Sequence, residues 1–469
     1  MYDRKERRWS WWVGLPLCWL AVTANPGQAS AQTPSPLTLV AAIDLARTNY
    51  PSLKELHARA AAASAGVSVA KAAYVPRLDA LWQTNRATRN NVFGLLLPQS
   101  VVPPISGPVL GTTDYESVWG SAGGVLLSWQ AIDFGLRKAN VAVARAQAAV
   151  ASAQTELTEL DVTAAAADAF LTVLAADHVV AAARANVERL QTFAGSVRTL
   201  VQNQLRPGAD ESRADAELAI AKTQLSQAVQ SSALARAALA DAVGSAGTAF
   251  DLDAVAVAQL PAQQPAPPSA IEAHPAVRAA AAAVATVQAR RLALGRTYAP
   301  RVDLQGAFSG RGTGAEAPGV PPRGDGLWLQ VPNWAVGVTV SFPVLDFVAV
   351  NARKRVEAEN EVAERARRDR ALQTVTTQNG RARALVTAAA EIAQNTPLEL
   401  KAATDAESRA RARYASGLAN VTEVADAQRL LAQAEADHAM ARLGVWRALL
   451  ALTQAAGDLS PFLAQIRQP

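Results

Sequence analysis

The residue types that most often carry chemistry are sparse in this 469-residue chain and show no catalytic or metal-binding spacing. Zinc ligands usually recur within a few positions of one another, but the four histidines lie far apart: His57, His178, His274 and His438. The only cysteine is Cys18, and neither a glycine-rich phosphate loop nor a G-x-S-x-G nucleophile motif occurs. The sequence therefore predicts a protein that is not an enzyme and holds no metal or other cofactor.

Two acidic residues, Glu423 and Asp426, have a spacing that could select charge. Residues three apart on a helix can lie on one side of it, one turn from each other. Carboxylates that line a passage favour cations, whereas the same pair on a solvated helix face is ordinary. Spacing alone leaves both interpretations open.

The composition indicates which elements must position such residues. Half of the chain is hydrophobic but only 5% is aromatic, so alanine supplies much of the apolar content. Alanine is the best helix former and has almost no side chain to bury, which predicts long, closely packed helices. The net charge is +5, and Lys and Arg alternate with Asp and Glu along the helical stretches. This pattern is typical of solvated helix faces, and we expect no nucleic-acid binding.

Residues 1–31 have the order of a secretory signal peptide. A basic start, Arg4–Arg8, precedes the short apolar stretch Trp11–Val22, and Ala29-Ser30-Ala31 is an A-x-A cleavage site. We therefore expect the mature chain to begin at Gln32. A membrane anchor is one alternative, although the apolar stretch is short for a membrane span. Lipidation of Cys18 is a second alternative, disfavoured by the bulky residue before it.

The chain contains an internal duplication, visible as short motifs that recur in one order. Residues 74–79 (YVPRLD) return as 298–303 (YAPRVD), and residues 128–134 (SWQAIDF) correspond to 341–347 (SFPVLDF). Upstream of these motifs, Tyr50-Pro51 corresponds to His274-Pro275. The duplication predicts five segments: the signal peptide 1–31, a first repeat 32–260, a proline-rich linker 261–269, a second repeat 270–457 and a C-terminal tail 458–469.

Each repeat is predicted to begin with a helix followed by two strands. The helices, roughly 38–73 and 270–296, end before Pro76 and Pro300, because proline stops a helix and extends the residue before it. Alternating apolar and polar residues then predict strands with one apolar face. The four predicted strands cover 77–86, 118–130, 302–309 and 334–342.

A long helical hairpin follows in each repeat. Helical runs over 136–205 and 349–414 begin after the corner residues Asp133 and Asp346. Glycine turns at Gly208 and Gly417 reverse the chain. Thr396-Pro397 predicts a new helix start inside the second run, as an N-cap followed by a first-turn proline. The return helices are predicted over 210–243 and 420–456.

Four strands are too few to close a membrane barrel, since the smallest closed barrels have about eight. An open sheet in lipid would leave unsatisfied backbone groups at its edges. Three chains of four strands would supply twelve, enough to enclose a water-filled pore. The predicted fold class is therefore mainly α with a membrane β part, in which a trimeric twelve-stranded β-barrel continues into a periplasmic α-barrel. A solid coiled coil would favour Leu and Ile at its a and d positions, and 139–153 lacks them.

With these features the chain resembles the TolC family of outer-membrane factors over nearly all of 38–457. The resemblance rests on the duplication, the segment 49–53 (NYPSL), the Y-x-P-R-x-D segments, the corners at 133–135 and 346–347, and the glycine turns. It implies a homotrimer in the outer membrane of a Gram-negative bacterium, surrounded by outer-membrane lipid and with a large periplasmic part. It also implies docking to a periplasmic adaptor and an inner-membrane pump, with passive conduction of substrates to the exterior.

The resemblance further implies roles for residues near the turns. Gly208, Gly417 and Leu418 would form the periplasmic tips that contact the adaptor. The positions six and nine residues after Gly417 are Glu423 and Asp426, which three copies would arrange as two acidic rings at a narrow entrance. The first turn departs from the family pattern, because a proline precedes its glycine.

Closure of the entrance is implied for Tyr414, which matches the family's tyrosine three residues before the tip glycine. The family's arginine two residues after that glycine is missing, because Ala419 stands there. Our hypothesis is that Arg411 or Arg413 replaces it.

Two other functions remain open from the sequence. One is an outer-membrane duct for type I protein secretion, which the neighbouring genes would distinguish from efflux. The other is a structural periplasmic coiled coil without a pore, which predicts no ion current.

Overall fold

The computed structural model describes residues 36–88, 116–261, 271–314 and 324–467. The predicted signal peptide, with Cys18, and most of the predicted linker lie outside the described residues. Within them the chain runs twice through the predicted series of a helical segment, two strands and a helical hairpin. The first series is α1 Leu39–Asn49, α2 Pro51–Ala72, β1 Arg77–Thr88, β2 Ser117–Ile132, α3 Leu136–Gln202 and α4 Gly208–Ala242. The second is α5 Pro275–Leu294, β3 Arg301–Thr313, β4 Val331–Ser341, α6 Phe347–Ala415 and α7 Val421–Ala456, followed by α8 Ser460–Arg467.

The four predicted strands are confirmed and form one antiparallel sheet in the order β1-β2-β3-β4. Cross-strand partners share a face, and the rows Ala80-Val125-Phe308-Trp334 and Leu78-Leu127-Gly306-Val336 lie on the same one. Most of the large side chains on this face are exposed, up to 78% for Val336. An apolar outer face is what lipid requires of a sheet. The outer strands β1 and β4 have no partner on one side among the described residues.

The helices form a layer whose order matches that of the sheet. In the half next to the sheet, α2 packs on α3, α3 on α5 and α5 on α6. In the far half, α4 packs on α3, α3 on α7 and α7 on α6. The 67 residues of α3 span roughly 100 Å and belong to both halves. The outer positions of the layer are therefore held by α6 on one side and by α2 and α4 on the other.

Pairs of shorter helices abut end to end within this layer. The C-terminal end of α4 meets the start of α2, and a Cβ on Gly244 would lie 2.8 Å from the carbonyl carbon of Asn49. In the second repeat, a Cβ on Gly457 would lie 2.7 Å from Pro275 Cδ at the start of α5. Both glycines also have positive φ, which favours glycine on conformational grounds. At each junction the neighbouring helix start therefore lies too close to the glycine for any side chain to fit there.

One large apolar core lies where α1, α3, α7 and α8 meet. Phe170 of α3 and Phe462 of α8 are fully buried in it, and Trp446 of α7 packs edge-on against Phe462. The sequence predicted the α8 segment only as a tail. Among the described helices, α3 also contains a window long and apolar enough to cross a membrane, but nearly half of that window is buried within the fold. Its apolar character is explained by this core.

Two predicted helices are divided differently in the structure, and proline is involved in both cases. The first helix divides into α1 and α2 because Tyr50 is extended and Pro51 occupies the first turn of a new helix. The predicted new start at Pro397 is wrong, since α6 continues through it without interruption. An internal proline removes one helical hydrogen bond and costs about 3 kcal/mol or more, so packing along α7 must outweigh this loss.

His274 caps α5 at the second junction and should make stability depend on pH. Its Nδ1 accepts a hydrogen bond from the Ala276 amide, and its Nε2 lies 3.3 Å from the Gln454 carbonyl oxygen, so the ring must be neutral. Burial lowers the pKa of His274, although the Gln454 carbonyl and the charge of Asp161 act in the opposite direction. Because the folded pKa lies below the unfolded one, this contribution is complete above about pH 6.5 and is lost as the pH falls through the folded pKa.

We expect His274→Asn to keep the cap, since Asn also accepts at this position, and to flatten the stability profile between pH 7 and pH 5. Thermal unfolding across that range measures the effect. The exposed His178, changed to Asn, is the matched control and should leave the slope unaltered. An unaltered slope in the His274 variant would contradict the assignment.

Candidate functional site at the hairpin tips

Both hairpins reverse through the same hydrogen-bonded turn, but with different residues. After α6, the Leu418 amide donates to the Arg413 carbonyl at 2.9 Å, and Gly417 has a φ of 76°. After α3, the Leu205 amide donates to the Leu200 carbonyl at 2.8 Å, and Gln204 has a φ of 60°. This is the Schellman arrangement, which requires one left-handed residue.

Gly208 was predicted as the turn glycine of the first hairpin, and the structure corrects this. Gly208 is the first residue of α4, following Pro207, whose backbone is extended. The left-handed position falls four residues earlier, at Gln204. The proline explains the difference, because it disfavours the helical conformation at Arg206 before it, so that α4 begins only after Pro207.

An apolar group that we call the tip cluster joins the two hairpins. Tyr414 at the end of α6 is only 4% exposed and meets Phe193 of α3 edge-on, with ring centroids 5.3 Å apart. The cluster draws on both hairpins and their turns, so each tip is packed against the other. Its buried members are Phe193, Ala194, Val197, Ala214, Ala410, Tyr414, Ala419, Val421 and Val424.

Arg206, in the turn between α3 and α4, provides the polar part of this junction. Its Nη2 donates to the Tyr414 carbonyl at 3.0 Å, and its Cζ lies 4.6 Å from the centroid of the Tyr414 ring. The sequence hypothesis placed this cation at Arg411 or Arg413. Arg413 instead pairs with Glu423 at 3.4 Å and donates to the Leu418 carbonyl. The cation stacked on Tyr414 thus comes from the other hairpin.

The Tyr414 hydroxyl is buried and has no hydrogen-bond partner among the described residues. Burial raises the pKa of Tyr414, the negative charge of Asp210 raises it further, and Arg206 opposes both effects. A buried donor without a partner costs free energy. In a single chain, Tyr414 is therefore held by its ring and its backbone carbonyl rather than by its hydroxyl.

The two candidate entrance acids lie on the first turns of α7, and each has an arginine neighbour. The Glu423 amide is capped by the Asn420 side chain, which orients the start of the helix. Asp426 pairs with Arg429 at 3.2 Å, and Arg429 also bonds to Glu217 of α4 at 3.0 Å. The carboxylates of Glu423 and Asp426 are each partly exposed. Each acid thus has an arginine neighbour within one chain, although Arg429 is shared between Asp426 and Glu217.

The strand-to-helix corner of the first repeat is a second group of buried polar contacts, which we call the corner cluster. Asp133 follows β2 and accepts from the Gly135 amide at 3.1 Å and from the Arg137 amide at 2.6 Å. Arg137 Nε bonds to the same carboxylate at 2.9 Å, and the guanidinium lies 4.8 Å from the Tyr74 ring centroid. The backbone carbonyls of Ala73 and Ala131 accept hydrogen bonds from its Nη1 and Nη2.

The hydrogen bonds and the positive charge of the corner cluster keep the Asp133 carboxylate ionised. Burial alone would raise the pKa of Asp133, but hydrogen bonds from the Arg137 and Gly135 amides, together with the Arg137 side chain, hold it below its ordinary value. The sequence singled out Asp133 but missed Arg137 and Tyr74. Tyr74 belongs to the repeated Y-x-P-R-x-D segment, whose Pro76 directly precedes β1, so that segment was the available signal.

The corresponding corner of the second repeat has no such cluster. Pro300 directly precedes β3, as Pro76 precedes β1. Asp346 is the N-cap of α6 but makes no side-chain capping bond, and the position equivalent to Arg137 is the buried Val350. Lys354 lies 5.9 Å from the Tyr298 ring. The duplicated corners thus differ in charge and in anchoring.

The histidines occupy separate places, with His57 and His178 exposed on α2 and α3 and His274 buried at the α5 cap. Among the described residues, no three His, Cys, Asp or Glu side chains are grouped so as to hold a metal ion.

Known proteins match the chain at the level of both family and fold. The family model described as outer membrane efflux protein matches twice, over residues 42–245 and 266–458. No curated protein sequence matches the chain. Solved outer-membrane channels have the same fold, although their sequence identity to this chain is low.

The CmeC channel of Campylobacter jejuni gives a TM-score of 0.73 at 14% identity, covering 89% of this chain and 85% of CmeC. The MtrE channel of Neisseria gonorrhoeae, solved in its open state, gives 0.71 at 20% identity, covering 90% and 89%. The VceC outer-membrane protein of Vibrio cholerae gives 0.70 at 17% identity, covering 90% and 96%.

Proposed function

Since the chain belongs to the outer membrane efflux protein family, we propose that it is the exit conduit of a tripartite efflux system. Three copies form one β-barrel in the outer membrane and one helical tunnel in the periplasm. A periplasmic adaptor and an inner-membrane pump deliver the substrate, which passes through the conduit without chemical change. Residues 1–31 are removed on export.

The observation that carries this proposal is that the sheet and the helical layer of one chain each have two open edges. The sheet is four strands wide and ends at β1 and β4. The helical layer ends at α6 on one side and at α2 and α4 on the other. Exposed sheet edges in lipid cost several kcal/mol per unsatisfied group. Copies of the same chain can satisfy both edges at once by pairing β4 with the next β1, and α6 with the next α2 and α4.

The hairpin tips are the proposed contact with the adaptor. Leu418 is 72% exposed directly after the left-handed Gly417, while Gly208 lies at the start of α4 in the adjacent turn. Because the turn after α6 is held by backbone hydrogen bonds, the exposed Leu418 side chain has a fixed position from which it can make an apolar contact. We propose that Tyr414 holds the entrance closed from the inner side of the same tips.

Planar-bilayer recording of the purified oligomer tests the conduit. We expect steps of ion current from a species whose cross-linked mass corresponds to three chains. A folded trimer that carries no current would exclude the conduit and favour a structural coiled coil. A monomer that remains soluble without detergent would contradict both the barrel and the trimer.

The entrance acids should affect ion selectivity more than stability. In the double variant Glu423→Gln and Asp426→Asn, we expect the preference for K⁺ over Cl⁻ to decrease measurably, because two carboxylates per chain no longer attract cations. The reversal potential in a salt gradient measures this preference. Glu188→Gln is the control, since this exposed acid lies on α3, away from the turns. An unchanged reversal potential in the double variant would refute the assignment.

A further inference from the structure

A cavity of about 720 Å³ lies where α7 meets α5, between α3 and α6. Sites for small organic ligands commonly have volumes of about 300–1,000 Å³. The cavity is separate from the tip cluster and from the corner cluster, and nothing in the efflux mechanism described above uses it. Its position at a helix junction explains how a layer of closely packed helices leaves this much space.

The lining combines an apolar surface with a row of arginines. The apolar part consists of aliphatic and alanine side chains from four helices, of which the largest are Leu157, Leu160, Val375 and Leu385. The basic part comes from one side of α6 and consists of Arg367, Arg370 and Arg381. Thr374 and Gln378 lie between these arginines and add neutral hydrogen-bonding groups. We call this site the basic cavity.

The arginines outnumber the acids that could neutralise them. Arg367 bonds to Glu364 on its own helix. Arg370 and Arg381 have no ion pair or hydrogen bond within the described part of the chain. The only acidic residue in the lining is Asp161, whose Oδ1 accepts from Gln454 Nε2 at 3.4 Å. Two guanidinium groups are therefore available to an anion that enters the cavity.

The spacing of these two arginines defines the shape of the ligand. Eleven residues on a helix correspond to about three turns, so Arg370 and Arg381 lie on one side of α6, roughly 16 Å apart along its axis. A guanidinium binds carboxylate, sulfonate or phosphate oxygens through paired N–H groups. The aliphatic side chains elsewhere in the lining favour a hydrocarbon or aromatic body.

We propose that the basic cavity binds amphipathic organic anions, and that these are the cargo of the conduit. The identification as cargo rests on the proposed function, whereas the binding does not. The lining residues lie along the middle of the helical part, away from the tips.

Binding is tested on the full-length oligomer in lipid nanodiscs with two fluorescent probes of the same shape. Naphthalene-1-sulfonate carries a negative charge, and 1-naphthylmethylammonium carries a positive one. We expect fluorescence anisotropy to show at least about tenfold tighter binding of the sulfonate, which corresponds to one charged hydrogen bond. The double variant Arg370→Gln and Arg381→Gln should lose this preference.

Arg383→Gln is the matched control. Arg383 is exposed, lies two residues after Arg381 and therefore projects from a different side of α6, outside the cavity lining. Its substitution removes the same charge and should leave sulfonate binding unchanged. Equal binding of the two probes, or an equal loss in the control and the double variant, would overturn the proposal.

Ion current through the same preparations separates this proposal from the proposed function. Normal current without selective sulfonate binding would leave the conduit intact and overturn the basic cavity. Selective binding without current would support the cavity and contradict the conduit. Sulfonate that reduces the current in the wild type, but not in the double variant, would support the assignment of the ligand as cargo.

Discussion

Replacing Asp133 with alanine should destabilise the assembled protein by about 3–5 kcal/mol per chain, the usual cost of removing one partner from a buried ion pair. Arg137, which is 7% exposed in the structure, would lose the carboxylate that compensates its charge. The Gly135 and Arg137 amides would also lose their acceptor. The temperature at which the oligomer dissociates in detergent measures the effect, and the expected result is a clear decrease.

The duplicated fold provides the control for this experiment. Asp346 occupies the equivalent corner but makes no capping bond, so Asp346→Ala should change stability by less than about 0.5 kcal/mol. Because the pKa of Asp133 is lowered, its contribution is present above the ordinary Asp pKa and is lost only in acid, as the pH falls through the folded value. Equal effects of the two substitutions at neutral pH would show that the corner cluster does not anchor the first corner.

Arg206→Ala should increase the fraction of time that the channel is open. The substitution removes the hydrogen bond to the Tyr414 carbonyl and the cation stacked on its ring. Together these contacts contribute about 1–2 kcal/mol, which corresponds to a change of roughly 5- to 30-fold in a two-state equilibrium. Single-channel recording at fixed voltage measures the open fraction directly.

Arg213 is suited to the matched control, because it lies in the first turns of α4 and is exposed. Arg213→Ala removes a positive charge from the same region without touching Tyr414, and should leave the open fraction unaltered. If both variants opened the channel equally, net charge at the tips would be the cause. If neither did, the contact between the hairpins would have no role in closure.

The sequence predicted the elements of this fold well because their signals are local. The alternation over 334–342 and the proline before each first strand depend only on neighbouring residues, and the duplication provided each signal twice. Pro397 was misinterpreted for the same reason. The cost of a proline in a helix depends only on the residues next to it. The packing that outweighs this cost joins residues far apart in sequence, namely Ala403, Leu431 and Ala434.

The contacts at the candidate site were harder to predict. Arg206 reaches Tyr414 across 208 positions, and Arg137 reaches Ala73 across 64. Contacts at such sequence separations produce no repeating pattern of residue types by which they could be predicted. The family pattern supplied Tyr414 and indicated that a nearby cation was missing, but it gave no sign of Arg206, which contacts Tyr414 from the other hairpin. Long-range partners of this kind become visible only when the helices have been packed.

The difference between the two sides of the helical layer affects how the proposed ring can deform. On one side, α6 is a single rod of 69 residues. On the other side, α2 and α4 divide the same length at Gly244. In a closed ring, each interface between subunits therefore places the continuous α6 of one subunit against the α2–α4 junction of the next. The continuous helix would restrict bending at that junction. Bending at one α2–α4 junction would then require bending at all three interfaces. An interruption of α6 in one subunit would destabilise the α2–α4 junction of the neighbouring subunit rather than its own.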